Sequence, residues 1–138
     1  MTQDAASIKT AILAKLAEAP ELASIKTWLH AEPAPVRYPT SPFGWVEWAG
    51  GPRSPEAGTK KIVDNFYIVI VKKSADPEGN EDAVIALCKS AETALEADAT
   101  LGGTTFDSYV SNREVQKVPA GDYEIAAVRM IVTTWRFA

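Results

Sequence analysis

His30 is the only histidine and Cys88 the only cysteine in the chain, so any nucleophile and base pair would have to be built around one imidazole. A catalytic Ser or Cys needs a base within hydrogen-bond reach, and no G-x-S-x-G elbow occurs to present a serine. Metal chemistry needs several nitrogen, sulfur or oxygen donors at compatible spacing. His30 falls at the end of a short apolar-polar alternation, and Cys88 falls in the apolar stripe of a helical pattern, where a thiol serves as a small core residue. The expectation is no catalytic site, no cofactor and no metal.

Three further patterns invite chemical readings and have plainer ones. Gly102 and Gly103 resemble part of a phosphate-binding loop, but no Lys followed by Ser or Thr accompanies them, and a strand pattern follows where a helix should open. They read instead as a chain reversal after a helix. Glu92 and Glu96 lie one helical turn apart and suit a solvated face. Pro39 and Pro42 make a P-x-x-P spacing, which a rigid link between strands explains.

Fourteen Lys and Arg against eighteen Asp and Glu give a formal charge of −4, and neither sign forms a block. Tight general phosphate binding needs clustered cations, so a nucleic-acid reader is not expected. With 46% hydrophobic and 23% charged residues, the chain has the composition of a globular fold, and its length suits a single domain over 1–138. A lone cysteine excludes an intrachain disulfide. The start MTQDAASIKT has no signal-peptide pattern, and no apolar run approaches the ~20 residues of a membrane span, so cytoplasm-like conditions and no membrane partner are expected.

These residues must be positioned by seven elements. Ile8, Ala11, Ile12, Leu16 and Ala19 recur at helical spacing, with Thr2 or Asp4 as cap and Pro20 as stop. Residues 23–30 alternate like a strand, and Pro33, Pro35, Pro39 and Pro42 form a stiff connector. FGWVEW (43–48) and KKIVDNFYIVIVKK (60–73) should pair as a hairpin across an irregular loop at 49–59. Asp76 or Asn80 can cap a helix that buries Val84, Leu87, Cys88, Ala91 and Leu95. Two long strands, 104–118 and 123–137, close through Pro119, Ala120, Gly121 and Asp122. The expected fold class is α+β: a largely antiparallel sheet of about five strands with two packing helices, in the order α-β-β-β-α-β-β, with long hairpins.

Such a sheet is too large for its helices. Strands of about 14 residues extend about 45 Å, against roughly 21 to 25 Å for helices of about 14 to 17 residues. Moreover, 60–73 is apolar on both faces, with Ile62, Phe66, Ile68 and Ile70 on one and Val63, Tyr67, Val69 and Val71 on the other. A sheet with one wet face alternates more cleanly. A second layer or a neighbouring subunit should therefore cover the remaining face. Trp45 and Trp48 have opposite strand parity, which places at least one of them outside the helix-covered core.

The segments ALEADATLGGTTFDSYVSNREVQKV (94–118) and DYEIAAVRMIVTTWRF (122–137), with the N-terminal SIKTAILAKLAEAP, resemble the tail terminator, or tail-completion, proteins of long-tailed bacteriophages and related tailed particles. The resemblance implies a structural virion protein made in the host bacterial cytoplasm and placed at the head-proximal end of the tail. It implies a homo-oligomeric, six-membered ring that caps the tail tube protein, stops its growth and offers its other side to the neck or head connector. DNA would pass through the ring without sequence-specific binding, and the net negative charge suits sliding. The alternatives are another neck component, such as a connector or stopper, or a stand-alone peptide-binding adaptor. The residues expected at an interface are Trp48, Arg53 and Glu56 around the long loop, and Arg113 and Glu114 near the last hairpin.

Overall fold

A computed structural model describes residues 4–56 and 59–137, without the side chains of residues 35, 54–56 and 59. Helix α1 spans Ala5–Glu18. Asp4 caps it, accepting a hydrogen bond from the Ser7 amide at 2.8 Å, and that amide holds the Asp4 carboxyl below its ordinary pKa. Thr2, the other expected cap, lies outside the described residues. The helix stops at Ala19 because Pro20 cannot continue it. Ile8, Ile12, Leu13 and Leu16 form its buried stripe.

The strand expected at 23–30 is mostly absent. Pro20–Leu22 form a single 3-10 turn, and only Trp28–Leu29 are extended, as β1. Leu22 and Ile25, three residues apart, are both buried in the core beneath the helices, so a turn buries what the alternating pattern suggested a strand would. β1 runs parallel to β2, Phe43–Gly50, with Trp28 opposite Gly44. A Cβ on Gly44 would sit 2.4 Å from the Trp28 ring, so only glycine permits this packing.

The segment 49–59, expected to be an irregular loop, holds a sixth strand. β2 bulges between Trp48 and Gly50, Gly50 takes a positive φ, and a Cβ on Gly51 would fall 2.0 Å from the Val63 carbonyl oxygen. The chain then re-enters the sheet as β3, Arg53–Glu56, which forms a tight hairpin with the start of β4, Thr59–Ser74. Pro55 is tolerated because β3 is an edge strand. As expected, β2 pairs antiparallel with the second half of β4.

Helix α2, Pro77–Glu96, has Asp76 at its cap position and Pro77 in its first turn. Asn80, the other expected cap, is instead buried inside the helix. Its amide donates to the carbonyls of Lys72 at 3.3 Å and Glu124 at 3.1 Å, tying α2 to the sheet. Strands β5, Asp107–Ala120, and β6, Tyr123–Phe137, form the closing hairpin, turned at Gly121 with positive φ.

The sheet has six strands in the order β1-β2-β4-β6-β5, with β3 also on β4. Every pairing except β1 with β2 is antiparallel. The fold is therefore α+β in the expected element order, with β3 added. Both helices pack on one face over Val46, Phe66, Ile68, Ile70, Val128 and Met130. A second, smaller cluster of Phe43, Trp45, Val69 and Val71 lies on the opposite face. Leu29 and Tyr38 pack against it, so residues flanking and within the proline-rich connector supply a partial second layer.

Candidate assembly surfaces

With 16 residues, β4 extends about 53 Å, whereas α1 with 14 and α2 with 20 reach about 21 and 30 Å. The part of the sheet that the chain leaves uncovered divides into three zones.

The first is an open groove of about 650 Å3 on the helix-free face. Trp45, Tyr67, Val69 and Val71 contribute apolar lining, Tyr38 enters from the connector, and Val118 from β5. Its charged lining is Glu32, Glu47, Glu114 and Arg129. Arg129 pairs with Glu114 at 2.7 Å and lies over the Tyr67 ring, 4.7 Å from its centroid. Glu47 accepts the Trp45 indole N–H at 2.7 Å. Below the groove, Thr133 Oγ1 donates to Asn65 Oδ1 at 2.8 Å and lies 3.0 Å from Ser111 Oγ, making a polar belt.

The second zone is the end of the sheet next to the β3–β4 hairpin. Phe106, Trp135 and Phe137 stack edge to face and tilted, with centroids 4.4 to 6.0 Å apart. Phe106 and Phe137 are nonetheless 62% and 48% exposed. Lys61 Nζ lies 4.9 Å over the Trp135 ring. On the helix side of this end, Trp48 is 58% exposed, yet its indole N–H donates to Asp64 Oδ1 at 2.9 Å. Asp64 is buried and ion-paired with Arg136. An exposed ring held by a buried ion pair is a pre-organised contact surface, because little side-chain freedom remains to be lost on docking.

The third zone is β5, the long outer strand, whose residues 111–119 are all exposed. Its outer backbone groups have no partner strand among the described residues, which makes it a template for pairing.

The five residues singled out from the sequence fall in two separate places. Trp48 and Arg53 lie at the hairpin end; Arg53 is exposed opposite Ile62. Glu56 pairs with Thr59 in the backbone, and its side chain lies outside the described residues. Arg113 and Glu114 sit across the sheet on β5 and point to opposite faces. Arg113 reaches Glu92 on α2 at 3.1 Å, and Glu114 reaches Arg129 in the groove. Sequence reasoning passed over Tyr38, Tyr67 and Arg129 in the groove and Phe106 and Phe137 at the aromatic end. Tyr67 was legible from the two-sided apolar pattern of β4; the others depend on register.

Cys88 and the Gly102–Gly103 turn have structural roles, and His30 makes a backbone contact. His30 is exposed, and its carbonyl accepts from Lys9. Cys88 is buried, and burial first, then the neighbouring Glu92, pushes its thiol up to about 11, far from a neutral-pH nucleophile. Gly102 and Gly103 take positive φ in the turn after α2. There the Asp98 carboxylate accepts from Thr100 Oγ1 at 2.6 Å, from the Gly102 amide at 2.8 Å and from the Thr100 amide at 3.1 Å. Those bonds, with Lys15 beside them, hold the Asp98 carboxyl well below the usual range. The Gly102 and Thr100 amides are thus already bonded to a carboxylate, and the Gly103 amide donates to the Thr100 carbonyl at 3.0 Å. Among the described residues no group of three or more His, Cys, Asp or Glu could hold a metal, and no helix is long and apolar enough to cross a membrane.

No protein-family model matches the chain, and no curated protein sequence matches it. The fold does match a chain in the solved structure of the virion of a native gene transfer agent particle. The TM-score is 0.53 with 12% identity, and the match covers 94% of each chain. The likeness establishes a shared α+β fold over nearly the whole length of both chains.

Proposed function

We propose that this chain is a non-catalytic structural virion protein whose copies form a ring on the end of a tail tube. The ring stops tube polymerisation and offers its other side to the neck or head connector. The observation that carries this reading is the unpartnered part of the sheet: a groove on one face and a 14-residue outer strand that the chain's two helices cannot cover. A sheet of this kind is completed by other subunits. The fold shared with a chain of the gene transfer agent virion supports the same reading, as does the sequence resemblance to tail terminators. Six copies at −4 each make a ring that repels phosphates on average, so DNA in the central hole slides through it.

The purified protein should elute as a discrete oligomer, with a six-subunit mass by light scattering or native mass spectrometry. When added to growing tail tubes it should cap them and shorten their length distribution. A strict monomer that leaves tube length unchanged would refute the proposal. Binding to the portal side of the neck without any effect on tubes would assign it to another neck component.

A further inference from the structure

We infer that the ring is closed by a head-to-tail contact in which the β3–β4 hairpin end of one copy seats in the groove of the next. The inference rests on the ring reading above and adds which surfaces meet.

Two surfaces of the same chain have complementary chemistry. The groove offers an apolar lining with Trp45, Tyr67 and Val69, and carboxylates at Glu32, Glu47 and Glu114 against the single cation Arg129. Arg129 is taken by Glu114, so Glu32 and Glu47 have no cationic partner among the described residues. The hairpin end offers Arg53 and Lys60, both exposed, and Lys61 over Trp135. Arg53 and Lys60 lie on the helix side of this end with Ile62. Lys61 and the exposed rings of Phe106 and Phe137 lie with Trp135 on the opposite side, with Asp107 an exposed carboxylate at the same end. Seated edge-on, the hairpin end brings rings and Lys61 from one side and Arg53 and Lys60 from the other, so that aromatic rings meet apolar lining and cations on both sides meet unmatched carboxylates.

Neither surface complements itself. A two-fold contact between grooves sets Glu32 and Glu47 of each copy against the other's, and a two-fold contact between hairpin ends does the same with Arg53 and Lys60. Like charges placed opposite each other suppress both arrangements. Nor can one copy fill its own groove, because Val69 and Lys61 lie eight residues apart on one continuous strand, about 26 Å. Between these two surfaces the remaining arrangement is heterologous, and a heterologous contact whose rotation closes on itself makes a ring.

Charge exchange tests this directly. Arg53→Glu with Lys60→Glu reverses the hairpin end. Glu32→Lys with Gln116→Lys reverses the groove at positions that spare the Glu47 contact with Trp45. Each pair alone should weaken self-association at least about tenfold by light scattering, with an unchanged circular dichroism spectrum. All four changes in one chain should restore the oligomer, and mixing the two reversed proteins should give a ring of alternating copies. If either reversal leaves association intact, or if both weaken it and the combined variant does not recover, the contact is wrong while the ring reading stands. A wild-type chain that is monomeric before any substitution removes the ring reading itself.

Discussion

The two faces of β4 are built from the same kinds of residue and have different fates. Phe66, Ile68 and Ile70 point at the helices and are fully buried. Tyr67, Val69 and Val71 point the other way, against Trp45, Phe43 and Tyr38, and line an open groove. On the first face the chain supplies its own cover and the reward is monomer stability. On the second the cover is partial, and completing it by association is worth roughly 25 cal/mol for each Å2 of apolar surface removed from water. Hydrophobicity alone does not distinguish a core from an interface; what decides is whether the chain is long enough to return over the face.

The largest effects should separate the faces. Phe66→Ala opens a cavity in the helix-covered core and should cost about 3 to 5 kcal/mol in urea unfolding of the monomer. Tyr67→Ala, one residue along, removes a ring that the monomer leaves partly exposed in the groove. It should cost less than about half as much in unfolding while weakening self-association markedly. Equal losses of stability for the two variants would mean that both faces are core.

Asp64→Asn comes next. It removes the charge that holds Arg136 and that accepts the Trp48 indole N–H. Breaking a buried ion pair from one side strands the other charge, which typically costs about 3 kcal/mol. Arg136→Met in the same chain should recover part of that loss. The Trp48 ring should also become more mobile, which tryptophan fluorescence anisotropy would read.

The helix face was the part of this comparison most legible in the sequence. Ile8, Ile12 and Leu16 and the stripe Val84, Cys88, Ala91 and Leu95 announce their burial by spacing, and the strands 60–73 and 123–137 by length and β-branching. The hairpin at 53–62 was hidden because Gly50, Gly51, Pro52 and Pro55 are loop residues by composition. Their actual use, a bulge and an edge strand, depends on the carbonyl of Val63 lying 2.0 Å from where a Gly51 Cβ would be. Likewise Ile25 fits an alternating pattern on paper, and only the packing of Leu22 with it shows a turn. For the candidate surfaces, the excess of apolar strand was readable, but the pairing of Glu114 with Arg129 is set by the Ser111 bulge, which shifts the register of β5 on β6. A bulge has no local signature in SNREV.

A pH scan sharpens the covered side of the comparison. Cys88 packs toward the helix-side core, and its thiol is raised from 9.0 to about 11. The folded state therefore disfavours the thiolate, while the unfolded chain ionises near 9. Stability is unaffected below pH 9 and falls as pH rises from 9 through 11, since the unfolded state then releases a proton that the folded state keeps. Cys88→Ala should flatten that limb of the stability curve. In the native protein at pH 7.5 the thiol should react with a disulfide reagent far more slowly than in urea, and equal rates would show that the α2 face opens readily.

The smallest effects on the monomer fall on two of the three ion pairs that β5 makes among the described residues, those of Arg113 and Glu114. Arg113 with Glu92 braces the strand against α2, and Glu114 with Arg129 braces it over the groove. Exposed pairs contribute at most about 1 kcal/mol, so Arg113→Ala and Glu114→Ala should each shift unfolding by less than that. Assembly provides the contrast. Glu114→Ala frees Arg129 and removes one of the groove's carboxylates, so a basic hairpin end approaching the groove meets an unpaired cation and association should weaken. Arg113 faces α2, away from the groove, so its removal should leave association near wild type. If Arg113→Ala were the variant that disrupts assembly, the contact would lie on the helix side of β5, and the division of labour between the two faces would have to be reversed along this strand.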